Sequence, residues 1–193
     1  MSKDFLKEAE VERTPEEAAL LMRVRIFVTM RWFAIVGVII TALVAPRVFH
    51  IGFPTLPVWV ICAFMVLYNF WALYQARSLE SIRTGDTIRR ARTQSNIHIL
   101  IDLILLTLLL HFTGGIENPF IFFFVFHIIA ASIVLPYMTV YLLATVAILM
   151  ITLLVGLEYA GAIPHINLEG FASPSLHKQT SYILAILLAL AAI

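Results

Sequence analysis

Apolar residues in this chain fall into long unbroken stretches separated by short polar breaks, a pattern of membrane-crossing helices rather than of amphipathic helices or alternating strands. The stretches run from Ile26 to Val44, Leu56 to Tyr74, Ile97 to Phe112, Pro119 to Leu135, Val140 to Leu157, and Tyr182 to the end. Most approach the roughly 20 residues that a helix needs to cross a ~30 Å hydrocarbon core. A membrane barrel would show alternating segments of about ten residues instead. The pattern therefore predicts an all-α, polytopic membrane helical bundle of about six transmembrane helices. Residues 1–25 would form an N-terminal segment whose helix leads into the membrane, and residues 26–193 the six-span domain. Composition excludes a soluble alternative: 61% of the 193 residues are hydrophobic, 13% are charged and the mean hydropathy is +0.95. The first stretch lacks a small-residue cleavage site and is followed by further spans, so it reads as an anchor and not as a cleaved signal.

Charge sets the orientation. Arg77, Arg83, Arg89, Arg90 and Arg92 crowd the segment between the second and third spans, while the turn from Thr113 to Asn118 has no Lys or Arg and the stretch from Glu158 to Ser181 has only Lys178. The positive-inside bias places the arginine-rich segment in the cytoplasm, and counting spans outward places both termini there too, as expected of a multi-pass protein of the inner (plasma) membrane. Beside two spans, these arginines are expected to orient the chain and touch anionic membrane lipid; no nucleic-acid partner is expected. Thr14-Pro15-Glu16-Glu17 signals a helix start through a capping box, and Asp86 is the expected cap of the helix entering the third span. Arg31 is expected to snorkel to the headgroups, with Trp32 as an interfacial anchor. The last run, from Tyr182, is too short to cross the bilayer. It predicts that the parent protein continues into the cytoplasm, since carbonyls ending in hydrocarbon would lack partners.

Candidate chemistry is sparse. Cys62 has no second thiol and lies within an apolar run, which is consistent with core packing. Gly114-Gly115-Ile116-Glu117-Asn118-Pro119-Phe120 joins the third and fourth spans, and tight-turn chemistry accounts for much of it: glycine ends a helix, Asn118 caps the next and Pro119 begins it. The phenylalanines that follow, Phe120, Phe122, Phe123, Phe124 and Phe126, could pack against lipid, or could line a notch for a flat apolar ligand with carbonyl oxygens such as a quinone. Asp102, costly inside a span at about 2.5–3.5 kcal/mol, needs a protein partner. The candidates are His98, at spacing i, i+4, and His127 across the hairpin, with either a structural or a proton-exchange role. A bis-histidine haem on His98, His111 and His127 is disfavoured because the three lie at different depths. No catalytic residues and no metal ligands are expected.

The hairpin also resembles the G-G-x-x-N-P-F heptapeptide of RegB/PrrB-type redox-responsive sensor histidine kinases, matching at Gly114, Gly115, Asn118, Pro119 and Phe120, with Glu117 in a variable slot. Arg31-Trp32, followed by Ala34, Ile35 and Gly37, and Asp102-Leu103 are similar to flanking features of that family. The resemblance implies a six-span sensor domain that binds ubiquinone or menaquinone at the heptapeptide, forms a homodimer, and reports quinone redox state to a two-component response regulator. The kinase and its ATP site would lie in a cytoplasmic region absent from these residues. Val38 stands where such sequences often carry a glutamine, so a ligand contact from the first span is not implied. The competing reading is a small transporter or membrane assembly subunit in which Asp102 and His127 line a polar path.

Overall fold

The computed structural model describes residues 14–81, 87–168, 170–171 and 176–192, the side chains of residues 80 and 81 excepted. Six α-helices follow in order: α1 Pro15–Val48, α2 Thr55–Ser81, α3 Thr87–Phe112, α4 Phe123–Val134, α5 Tyr137–Tyr159 and α6 Thr180–Ala191. There is no strand among the described residues. The all-α polytopic bundle is as the hydropathy pattern predicts.

Helix α1 starts where its capping chemistry dictates. The Thr14 side chain accepts from the Glu17 N–H at 3.2 Å, the Glu17 carboxylate accepts from the Thr14 N–H at 3.1 Å, and Pro15 has no N–H to leave unpaired. From there one continuous helix of 34 residues runs into and through the expected first span. Helices α1, α2, α3 and α5 are long and apolar enough to cross a membrane. The apolar stretch Pro119–Val134 is shorter; it opens as a 3-10 turn over Pro119–Phe122 before becoming α4, and α6 has 12 residues. The expected cap Asp86 lies outside the described residues.

Helix α3 is the axis of the bundle, packing against α1, α2, α4 and α5. Its buried positions Ser95, Ile99, Asp102, Leu106 and Leu110 recur every three or four residues, so one stripe of this helix faces its neighbours throughout. The larger core draws on all six helices around Leu79, Ile99, Leu103 and Ile151; a smaller one, which holds Cys62, fills the contact of α1, α2 and α3. Glu16 and Arg92 pair at 3.6 Å, so α1 and α3 begin at the same arginine-rich end. The α3–α4 hairpin and the α5–α6 connection consequently sit at the opposite end.

Candidate functional site

The hairpin after Phe112 is built by two glycines and one amide. Gly114 and Gly115 have φ of 102° and 53°, in the left-handed region that other residues rarely adopt. Each also carries a neighbour where a Cβ would stand: the Leu168 side chain at Gly114 and the Glu158 carboxylate at Gly115. The Asn118 side chain donates to the Thr113 carbonyl at 2.8 Å and the Thr113 hydroxyl at 2.7 Å, and accepts from the Phe120 N–H at 2.9 Å. Both amide hydrogens are thus spent on the turn itself. Gly114, Gly115, Glu117 and Asn118 are all buried, whereas Pro119 and Phe120 are exposed.

Glu117 is turned into the protein. It is 5% exposed, covered by the α5–α6 connection, and its Oε1 accepts from the backbone N–H of His177 at 3.1 Å. His165 Nε2 and His177 Nδ1 each lie 3.5 Å from that same oxygen, and the two imidazoles stack with centroids 3.8 Å apart. Behind them Glu158, 3% exposed, accepts from His165 Nδ1 at 2.7 Å and is held on its other oxygen by His111 Nδ1 at 2.9 Å. Burial opposes a charge on His165, but the hydrogen bond and charge of Glu158, joined by Glu117, outweigh it and raise the pKa. His177 is lowered, by burial first and then by the charge of His165, against the pull of Glu117. Glu117 Oε2, His165 Nε2 and His177 Nδ1 are buried without a hydrogen-bond partner. A cleft of about 500 Å³, lined by Glu158, His165, Asn167, His177 and Lys178, opens beside them.

This cluster escaped the sequence reading because its members are far apart in the chain and match no local ligand spacing. The available signal was two histidines, His165 and His177, in a connection that also begins with an acidic residue, Glu158.

Asp102 finds its partner elsewhere than expected. The Arg31 Nε and Nη2 donate to its Oδ2 at 3.1 and 2.6 Å, and the Arg31 guanidinium also reaches Asn69 at 3.4 Å. Arg31 is 7% exposed and lies against the rings of Phe27 and Tyr68, so the expected snorkelling to the headgroups is overturned. The reason is proximity: α1 and α3 are in contact, and a buried carboxylate holds a guanidinium better than distant headgroups do. His98 instead bonds Tyr68 through Nδ1 and Gln75 through Nε2 at 3.2 Å. His127 donates from Nδ1 to the Phe123 carbonyl at 2.7 Å. The three expected intramembrane partners therefore make separate hydrogen bonds: Asp102 to Arg31 of α1, His98 to Tyr68 and Gln75 of α2, and His127 within α4.

Outside the sealed hairpin, Phe120, Phe122, Phe123 and Phe126 form an exposed aromatic face, with centroids 5.2 Å apart for Phe120–Phe123 and 5.7 Å for Phe123–Phe126. An apolar cleft of about 640 Å³ runs between α4, α5 and α6, past Phe124, Ile128, Ser132, Ala144 and Leu190.

Compared with known proteins, residues 21–193 match the family model of the PilS-like transmembrane domain. No curated protein and no solved structure matches the chain.

Proposed function

Since the chain belongs to the PilS-like transmembrane-domain family, a membrane-domain family of the sensor-histidine-kinase type, we propose that it is the input domain of a sensor kinase of the inner (plasma) membrane, and that its ligand is a quinone. The observation that carries the ligand is the exposed phenylalanine face beside a rigid hairpin. Phe120, Phe122 and Phe123 are 36–39% exposed and Phe126 is 63% exposed, whereas Gly114 to Asn118 of the heptapeptide are buried. Aromatic rings in contact offer a flat quinone ring an offset stack, and the apolar cleft along α4 offers room to an isoprenoid tail.

On this reading the heptapeptide residues have two tasks. Gly114, Gly115 and Asn118 set the shape of the turn, and Pro119 and Phe120 present it to the ligand. The RegB/PrrB-type likeness of the heptapeptide supports ubiquinone or menaquinone as the class. Signalling further requires that oxidised and reduced ligand favour different packings, because equal affinity for two arrangements shifts neither. The output would pass through α6 to a kinase, its ATP site and a response regulator beyond these residues, with a homodimer as the signalling unit. The transporter alternative is weakened, since Asp102 is paired with Arg31 and His127 bonds within its own helix.

The test is a titration of the purified chain with a short-chain quinone in both redox states, followed by intrinsic Trp fluorescence. Saturable binding that differs between redox states and is lost in Phe120→Ala/Phe123→Ala supports the proposal. Binding that is absent, or indifferent to both substitutions, refutes it.

A further inference from the structure

The buried group at the outer hairpin is arranged as a ligand set. Glu117 Oε1 lies 3.5 Å from both His165 Nε2 and His177 Nδ1, and the ligand atoms of the three residues all fall within 4.8 Å of one another. Two donors bound at about 2.0–2.1 Å to one tetrahedral ion stand about 3.3 Å apart. The two oxygen–nitrogen separations lie close to that edge, and the imidazoles, stacked with centroids 3.8 Å apart, would splay to aim both nitrogens at one ion. Neither contact is a hydrogen bond, and His165 Nε2, His177 Nδ1 and the second Glu117 oxygen, Oε2, remain buried and unpartnered. Buried polar atoms are normally satisfied, so three unpartnered ones within a single cluster of possible ligands call for a shared partner. The side chains are 0%, 5% and 10% exposed for Glu117, His165 and His177, which makes the cluster part of the interior and not a solvated surface group.

The surroundings fit the same chemistry. A histidine that binds a metal through one nitrogen usually donates its other N–H to a carboxylate, which fixes the tautomer and aims the ligand nitrogen. His165 does this: its Nδ1 donates to Glu158 at 2.7 Å, leaving Nε2 directed at Glu117. His111 holds the second oxygen of Glu158 at 2.9 Å, so the supporting carboxylate is itself fixed. Two buried carboxylates, Glu117 and Glu158, bring charge that a dication would neutralise. The cleft of about 500 Å³ reaches Glu158, His165 and His177 and supplies a route from solvent.

We propose that Glu117, His165 and His177 bind a divalent transition-metal ion of the zinc class, with an open coordination position toward the cleft, and that Glu158 acts as a positioning residue through His165. Two imidazoles and one carboxylate are the donor set that such borderline ions take, whereas calcium and magnesium prefer all-oxygen sites. The ion would join the α3–α4 hairpin to the connection that leads into α6. This site does not depend on quinone binding, which concerns the outward-facing phenylalanines.

The experiment uses the full chain, free of affinity tags, stripped with chelator and placed in lipid nanodiscs. Zn²⁺ is titrated against a fluorescent competitor, and Co²⁺ is added separately to read coordination from its visible absorption. Expected are one ion per chain, an affinity loss of at least 100-fold in His177→Ala and in Glu117→Gln, and no change in His50→Asn, which alters an exposed histidine outside the cluster. Glu158→Gln should weaken binding about 10–100-fold with the stoichiometry kept and the Co²⁺ spectrum altered. Helical content by circular dichroism accompanies each variant. X-ray absorption of Zn-loaded wild type, which needs no variant, should show two imidazoles and carboxylate oxygen. Failure of the wild type to hold one ion per chain, equal affinity in His177→Ala, or fewer than two imidazoles on the ion would each overturn the assignment.

Discussion

Replacing Asp102 by Leu isolates the buried ion pair as a quantity. The two side chains are 6% and 8% exposed, and Arg31 places two donors on a single oxygen at 2.6 and 3.1 Å. Breaking a buried pair by removing one member typically costs about 3–5 kcal/mol, because the other charge is left uncompensated. The Phe27 and Tyr68 rings, 5.2 and 5.1 Å from the Arg31 guanidinium carbon, keep part of their attraction for the cation, worth about 0.5–2 kcal/mol each. Asp102→Leu should therefore fall near the lower bound, about 3 kcal/mol. Arg31→Leu should cost a similar amount, moderated because a stranded carboxyl can take up a proton. The double variant should cost only about 1 kcal/mol, since both desolvation penalties vanish together. Equilibrium unfolding in mixed micelles of rising denaturing-detergent fraction, followed by far-ultraviolet circular dichroism, gives all three values and their cycle. Additive losses of about 6 kcal/mol in the double variant would refute the pairing. So would a cost for His127→Ala equal to that of Arg31→Leu, which would return Asp102 to the histidine across the hairpin.

Three further outcomes follow from the geometry. Asn118→Ala removes three hydrogen bonds of 2.7–2.9 Å from a buried turn and should destabilise by about 2–3 kcal/mol in the same unfolding assay, whether or not ligand is present. Gly115→Ala forces a Cβ against Glu158 at φ 53° and should cost about 1–3 kcal/mol, whereas Gly37→Ala, with nothing within 4 Å, should be neutral or gain up to about 1 kcal/mol; equal effects would contradict the hairpin's close approach. Thr14→Ala should cost about 1 kcal/mol of local stability, seen as faster amide exchange confined to the first turn of α1.

Much of the architecture was legible because it rests on local physics. Hydropathy over about 20 residues decides which segments enter a membrane, and Thr14, Pro15 and Glu17 carry the start of α1 in four consecutive positions. The glycines and Asn118 of the hairpin were likewise readable, since the left-handed turn and the cap are satisfied within a few residues. Depth was legible too: Asp102 was expected to need a protein partner, and it has one.

Which partner it has was not legible. Arg31 and Asp102 are 71 residues apart, Glu117 and His177 are 60 apart, and no local spacing encodes either contact. A periodic pattern states that a helix has a buried face; it does not state which neighbour covers it. The sequence by itself determined that the chain is a helical membrane bundle, where α1 begins, and that a tight turn joins the third to the fourth helix. Only the tertiary structure decided that Arg31 turns inward instead of toward the headgroups, and that Glu117 meets His165 and His177 beneath the α5–α6 connection. The reason is physical. Insertion and capping are paid residue by residue along the chain, whereas buried charges are settled between whichever helices come into contact.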